Sequence, residues 1–293
     1  MNLKVWGARG SIPAPGPETM RYGGNTSCVE LTLSDDSKLI LDAGTGIRNL
    51  GLTRGGRDQF DGPIHILLTH LHLDHIQGLM FFAPAFRPES EIIIWGPASP
   101  EASLRDRIAR YISAPLAPVE VRELPSHLSF REAEPLEWDI GPARIRAQAV
   151  NHRGPTLGYR IDDAGRSLCY IPDHEPGLGA PLRELDDDWI SGFDLAHGAS
   201  MLVHDCQYTD TEYPNHLGWG HSPMSDALEF GHRVAAERLL LFHHDPLHSD
   251  ADLDDLAQDV AVHWRELGGR AEQVELATER MELRVAAEPA RTG

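Results

Sequence analysis

The sequence predicts an α+β fold, on three observations. Ten short strand-like runs occur, at residues 2–6, 27–33, 38–42, 63–69, 91–95, 143–150, 157–161, 167–172, 200–203 and 238–242. Three segments carry helical spacing, at 99–112, 223–236 and 251–267. Long strand runs come early, and two of the three helices come late. That order suits packed sheets flanked by helices, although periodicity by itself establishes only mixed α and β.

Taken in order, the chain opens with Asn2 to Trp6, a strand leading into a turn at Gly7. This start lacks the apolar core of a signal peptide. No run approaches the ~18 apolar residues of a membrane span. The expectation is a cytoplasmic protein with no membrane partner. Arg9 to Asn25, rich in Gly and Pro, is a loop. The helix at 223–236 is expected to start with Ser222 as cap and Pro223 at its first position. The helix at 251–267 follows Ser249-Asp250 and spaces Leu253, Leu256, Val260 and Trp264 along one face. Residues 1–287 read as one domain, and 288–293 as a disordered tail.

Composition bounds the partners. Against 45 acidic residues stand 26 basic ones, a formal net charge of −19 over 293 residues. Phosphate-backbone binding relies on basic surface, so this balance argues against nucleic acid and for a small-molecule substrate. Cys28, Cys169 and Cys206 are far apart and odd in number, which argues against a disulfide framework. Cys28 and Cys169 lie in strand-like runs and read as small buried hydrophobes.

The most informative segment is Ile66-Leu-Leu-Thr-His70-Leu-His72-Leu-Asp74-His75. An apolar strand ends abruptly in four metal-ligand side chains. Three imidazoles within six positions have no packing rationale. In an extended chain, alternation would put His70, His72 and Asp74 on one side. Imidazole with carboxylate suits zinc, with manganese or iron as second choices.

His-x-His-x-Asp-His after a strand resembles the signature of the metallo-β-lactamase superfamily of binuclear hydrolases. The resemblance implies an αββα four-layer sandwich and two divalent ions. It calls for three further ligands, each on a loop after a strand, and the candidates here are His152 after 143–150, Asp173 after 167–172 and His243 after 238–242. His244 competes with His243, since neighbours in a strand point oppositely, and His243 is preferred because it sits directly at its strand end. The resemblance then implies that His70, His72 and His152 hold one ion, that Asp74, His75 and His243 hold the other, and that Asp173 bridges them. Asp42, ending the third strand, resembles a residue that supports the first metal loop from behind; a plain turn residue is the equal alternative. His174 and His204 are expected in supporting or structural roles.

Gly7-Ala-Arg-Gly-Ser11 and Tyr22-Gly-Gly-Asn-Thr-Ser-Cys28 resemble the phosphodiesterase branch, which includes ribonuclease Z and cyclic-phosphate phosphodiesterases. Met201-Leu-Val-His204-Asp205 and Gly220-His221-Ser222 are similar to paired ribonuclease Z segments. Carried over, Asp205 orients His221, and His221 protonates the leaving alkoxide. The implied nucleophile is a hydroxide held between the metals. Ile92 to Val121 lacks the basic-flanked projecting arm with which ribonuclease Z clamps tRNA, so a small or cyclic nucleotide-type ester is the expected substrate. Relatives that pair near the active site put a homodimer ahead of a monomer. Thioester or lactone hydrolysis on the same scaffold, a non-catalytic metal-dependent ligand sensor and a di-iron redox protein are the alternatives.

Overall fold

The computed structural model describes residues 1–52, 62–133 and 137–285. The expected tail at 288–293 lies outside these residues. The first sheet gathers β1 (Asn2–Gly7), β2 (Cys28–Thr32), β3 (Lys38–Leu41), β4 (Ile64–Leu67), β5 (Glu91–Pro97) and β6 (His127–Ala133). The second gathers β7 (Glu137–Ile140), β8 (Ala143–Ala149), β9 (Leu157–Asp163), β10 (Arg166–Ile171), β11 (Met201–Asp205), β12 (Leu239–Phe242) and β13 (Val274–Leu276). The last strand, β14 (Glu282–Arg284), returns to pair with β1 in the first sheet.

Period-two alternation builds the layers. In β10, Leu168 and Tyr170 face the other sheet, in a core shared with Val5, Leu31, Leu67 and Phe242. Cys169 and Ile171 point the other way, onto a helical layer. That layer contains α4 (Phe193–Ala196), α5 (Met224–Arg233) and α6 (Asp250–Glu266), whose Leu195, Leu228, Leu253, Val260 and Trp264 are buried. On the opposite outer face, Ile40, Ile66 and Ile94 receive α1 (Gly46–Leu52) and α3 (Leu104–Tyr111) through Ile47, Leu50, Leu104 and Ile108. The result is the expected four-layer αββα sandwich. All three cysteines are buried and free. No helix among the described residues is long and apolar enough to cross a membrane.

Strand polarity positions the site. β3 to β6 run parallel, as do β10 to β13. β8 is antiparallel to β9, and β9 to β10, so β8 shares the direction of β10. The carboxyl ends of β8, β10, β11 and β12 therefore open on one edge, the usual place for ligands in such sheets. The two sheets are stitched there by Leu157 N–H donating to Thr69 O at 2.9 Å and Tyr159 O–H donating to Leu68 O at 2.7 Å.

Several local expectations are corrected. The helix expected at 99–112 begins at Leu104, because Ser103 caps it by accepting from the Asp106 N–H. Pro223 is the cap of α5, and Ser222 spends its hydroxyl on His174 O at 2.6 Å. Four strands, β6, β7, β13 and β14, escaped the sequence reading. Three of them are short or lie at a sheet margin, and β6 carries His127, Arg131 and Glu132 on exposed positions, which hides the apolar pattern. Ile92 to Val121 forms no projecting arm; Leu104, Ile108, Ile112, Ala117 and Val121 pack it onto the sheet.

Candidate functional site

His70 lies three residues beyond β4, and the chain then turns into a single helical turn, α2 (Leu73–Ile76). This corrects the extended reading of the segment. His72 stands at the helix N-cap, and Asp74 and His75 lie inside it. The turn divides the ligand types between two clusters rather than aligning them on one side.

The first cluster is His70, His72, His152 and Asp173; the second is Asp74, His75, His243 and Asp173. In each, the candidate ligand atoms lie within 4.8 Å of one another. Asp173, two residues beyond β10 and 1% exposed, belongs to both. Its Oδ2 is 3.6 Å from His70 Nε2, 3.7 Å from His152 Nε2 and 3.3 Å from His243 Nε2, while Oδ1 is 3.0 Å from His75 Nε2. Residues from four strand ends, separated by 173 positions of sequence between His70 and His243, thus surround one volume (243 − 70 = 173).

Outer hydrogen bonds fix which nitrogen faces inward. His75 Nδ1 meets Asp42 Oδ2 at 2.8 Å. His243 Nδ1 meets Gln207 Oε1 at 2.9 Å, and His152 Nδ1 meets Gly220 O at 2.7 Å. Each acceptor requires a proton on Nδ1, so each neutral ring turns a bare Nε2 lone pair inward. His75 Nε2 and His243 Nε2 face each other at 3.3 Å. His152 Nε2 faces His72 Nδ1 at 3.1 Å. His70 Nε2 is buried without a hydrogen-bond partner among the described residues. Converging lone pairs repel unless a cation lies between them. Nitrogen and carboxylate donors held by outer partners in this way fit divalent ions such as zinc, manganese or iron.

Electrostatics agree. Burial pushes His70 well below its ordinary value, and pushes His152 down to about 4. Both are neutral near pH 7, as ligands must be. Burial also opposes charge on His75, yet Asp173, Asp74 and Asp42 hold it well above its ordinary value. Burial disfavours the Asp173 anion, but His243, His75 and His70 keep its carboxyl well below the usual range. The second cluster therefore draws positive charge in the absence of any ion.

Close packing sustains this geometry. A Cβ on Gly10 would lie 2.4 Å from His243 Nδ1, so only glycine passes there. The next residue, Ser11, donates its N–H to Asp74 Oδ2 at 2.7 Å. His244 turns away and meets Ala277 O at 2.8 Å, whereas His243, at φ 61°, turns into the cluster.

Beside the clusters, His221 Nδ1 meets Asp205 Oδ2 at 2.6 Å, and the His221 ring stacks on His243 with centroids 4.9 Å apart. Burial lowers His221, but Asp205 more than offsets it and carries the imidazole up to about 9. Asp205 also accepts from the N–H groups of His174, Gln207 and Ser222. His174 and His204 form a buried pair at 2.9 Å behind this dyad. Gln207 and Glu175 carried no motif in the sequence, since a buried amide or carboxylate that grips backbone leaves no pattern of spacing.

A family model described as "Beta-lactamase superfamily domain" matches residues 37–244. The chain is 25% identical over 286 residues to a ribonuclease Z of Natronomonas pharaonis, covering 83% of this chain and 87% of that one. It is 27% identical over 259 residues to a ribonuclease Z of Mycobacterium sp. (strain KMS), covering 80% and 81%. Among solved structures, the metallo-β-lactamase fold protein YhfI of Bacillus subtilis matches with a TM-score of 0.68 at 18% identity, over 97% of this chain and 99% of that one. The short form of human tRNase Z matches with a TM-score of 0.67 at 22% identity, over 97% and 99%. A diphosphatase of the PhnP family matches with a TM-score of 0.67 at 15% identity, over 96% of each chain. At these identities the solved structures establish a shared fold.

Proposed function

This chain belongs to the beta-lactamase superfamily, and we propose that it is a metal-dependent hydrolase that cleaves a small phosphodiester with two divalent ions bound. The observation that carries the reading is Asp173, common to two separate donor clusters. His70, His72 and His152 would hold one ion, and Asp74, His75 and His243 the other, with Asp173 between them. Zinc is the first candidate on ligand type. When bound, such a pair supplies Lewis acidity toward a phosphoryl oxygen and a water acidic enough to react at neutral pH.

The chain's own residues do the rest. The outer partners Asp42, Gln207 and Gly220 O lock the ring tautomers, so the donors are arranged before ions arrive. Asp205 holds His221 by Nδ1 and favours its protonated form, which leaves Nε2–H free to donate. An alkoxide is a poor leaving group, and a proton delivered by His221 contributes roughly 10²–10⁴-fold. His221 has no comparable task with a thioester, whose thiolate departs more readily than an alkoxide; this dyad favours the phosphodiester over a thioester.

A second reading has a specific support: the sequence relatives named above are ribonucleases Z. Against an RNA substrate stand the net charge of −19 and the absence of an arm between Ile92 and Val121. The test is metal analysis of the purified protein, then bis-p-nitrophenyl phosphate, cyclic AMP, a ribose cyclic phosphate, a lactone and a precursor tRNA. Two ions per chain with turnover of a small diester is expected. Turnover of the lactone alone would overturn the reading, and turnover of the precursor tRNA alone would favour the second.

A further inference from the structure

A wall of aromatic rings starts at His221 and runs outward. The edge of Tyr208 meets His221, with centroids 6.0 Å apart and planes at 84°. His216 stacks on Tyr208 at 4.3 Å and 15°. Trp219 stands edge-on to His216 at 5.0 Å and 87°. Tyr208 is buried, whereas Trp219 is 53% exposed. An exposed tryptophan alone means little. This one is held in an unusual way.

The buried Glu175 carboxylate gathers the loop that carries the rings. Its Oε1 accepts from Tyr213 O–H and from Gly218 N–H, each at 2.8 Å, and its Oε2 accepts from Gly220 N–H at 2.8 Å. Arg153 Nε donates to Gly218 O at 3.0 Å, and Trp219 N–H donates to His216 O at 2.9 Å. Gly220 O receives His152 Nδ1, and a Cβ at Gly220 would lie 2.5 Å from that atom. The backbone is tied at 218, 219 and 220, so the origin of the Trp219 side chain is fixed, and the indole lies against His216. Flat apolar surface is kept open within two residues of the group that faces the leaving alcohol.

We infer that Trp219, held by Glu175, is a specificity-determining platform for phosphodiesters whose leaving alcohol carries a flat aromatic group, such as a nucleobase or aryl ring. The inference rests on the reading of His221 as the proton donor. A leaving oxygen beside His221 directs its substituent along the ring wall. There an aromatic substituent gains face or edge contacts that an alkyl substituent cannot make.

The experiment compares calorimetric binding of benzylphosphonate and ethylphosphonate to the metal-loaded protein. The ratio of the two affinities cancels changes in metal or phosphoryl binding. The wild-type protein should prefer the benzyl compound. Trp219→Ala should lower that preference roughly tenfold, the scale of one lost ring contact. Trp219→Phe should restore most of it, and Glu175→Gln should lower it by releasing the loop. A wild-type protein indifferent between the two compounds, or a preference untouched in Trp219→Ala, overturns the inference. Failure of the hydrolase reading looks different: the aromatic preference persists while the wild-type protein turns over no diester.

Discussion

Asp42 and His75 are joined by an Oδ2 to Nδ1 contact of 2.8 Å, across 33 residues of sequence. The same carboxylate accepts from Thr69 N–H at 2.8 Å and from Tyr170 O–H at 3.0 Å. It therefore fixes the loop after β4, one candidate ligand on α2, and the second sheet together. Asp42 is fully buried and has a φ of 58°, a conformation a non-glycine residue keeps only when its surroundings enforce it. Asp42→Asn keeps the size but loses the charge-assisted bond to His75. We expect metal affinity to fall by about 10–100-fold. A chelator-competition titration measures this, and an unchanged affinity would count against the supporting role.

Asp173→Ala removes the group shared by both clusters. The expected outcome is fewer than two ions per chain and loss of turnover for every substrate the wild type hydrolyses. Zinc added to the metal-free wild type should raise its melting temperature, because an ion bound only by the folded state stabilises it. The variant should show a much smaller rise. Metal content and a thermal scan check both points.

His221→Ala should slow hydrolysis of a diester with an alkoxide leaving group by roughly 10²–10⁴-fold. It should leave hydrolysis of bis-p-nitrophenyl phosphate far less affected, since nitrophenolate departs without a proton. Asp205→Asn should follow the same pattern more weakly. Equal losses on both substrates would point to a structural role for the dyad.

Away from the site, Asp226 gives a test of charge burial. Burial, with Asp210, Glu175 and Glu229 nearby, pushes its carboxyl from an ordinary value of 3.8 up to about 6. A carboxyl raised in the folded state binds its proton more tightly there than in the unfolded chain. Its contribution is therefore most favourable at low pH and is lost as pH rises from about 4 through about 6. Asp226→Asn should melt higher than the wild type at pH 7.5, on the order of 1–2 °C, and the gap should narrow toward pH 4.5. Melting curves across that range decide it; a variant that melts lower at pH 7.5 removes the argument.

The readable parts of this protein are those whose signal is local. The strand leading to His70 was visible because an apolar run stops at polar side chains within a few residues. Likewise, α6 was visible because Leu253, Leu256, Val260 and Trp264 repeat at helical spacing, and its Ser249 cap closes a reciprocal bond with Asp252. The turn at α2 leaves no helical signal in the sequence, because four residues are too few for periodicity to declare itself. Strands β7, β13 and β14 were missed for a similar reason: runs of three or four residues gain their stability from the neighbour they pair with.

Local order in the chain determined the cluster at His70, His72, Asp74 and His75, and the resemblance that cluster carries pointed to His152, Asp173 and His243, each after a strand-like run. It also determined a mixture of strands and helices. The resemblance implied which donors share a cluster and that Asp173 stands between them, but only the tertiary structure brings those atoms together and lets Gln207, Gly220 and Asp42 choose the ring tautomers. Those contacts join residues tens to hundreds of positions apart. They exist because parallel strands from one sheet, and the loop after β4 from the other, end at the same edge, a relation of direction and packing that no short window of sequence contains.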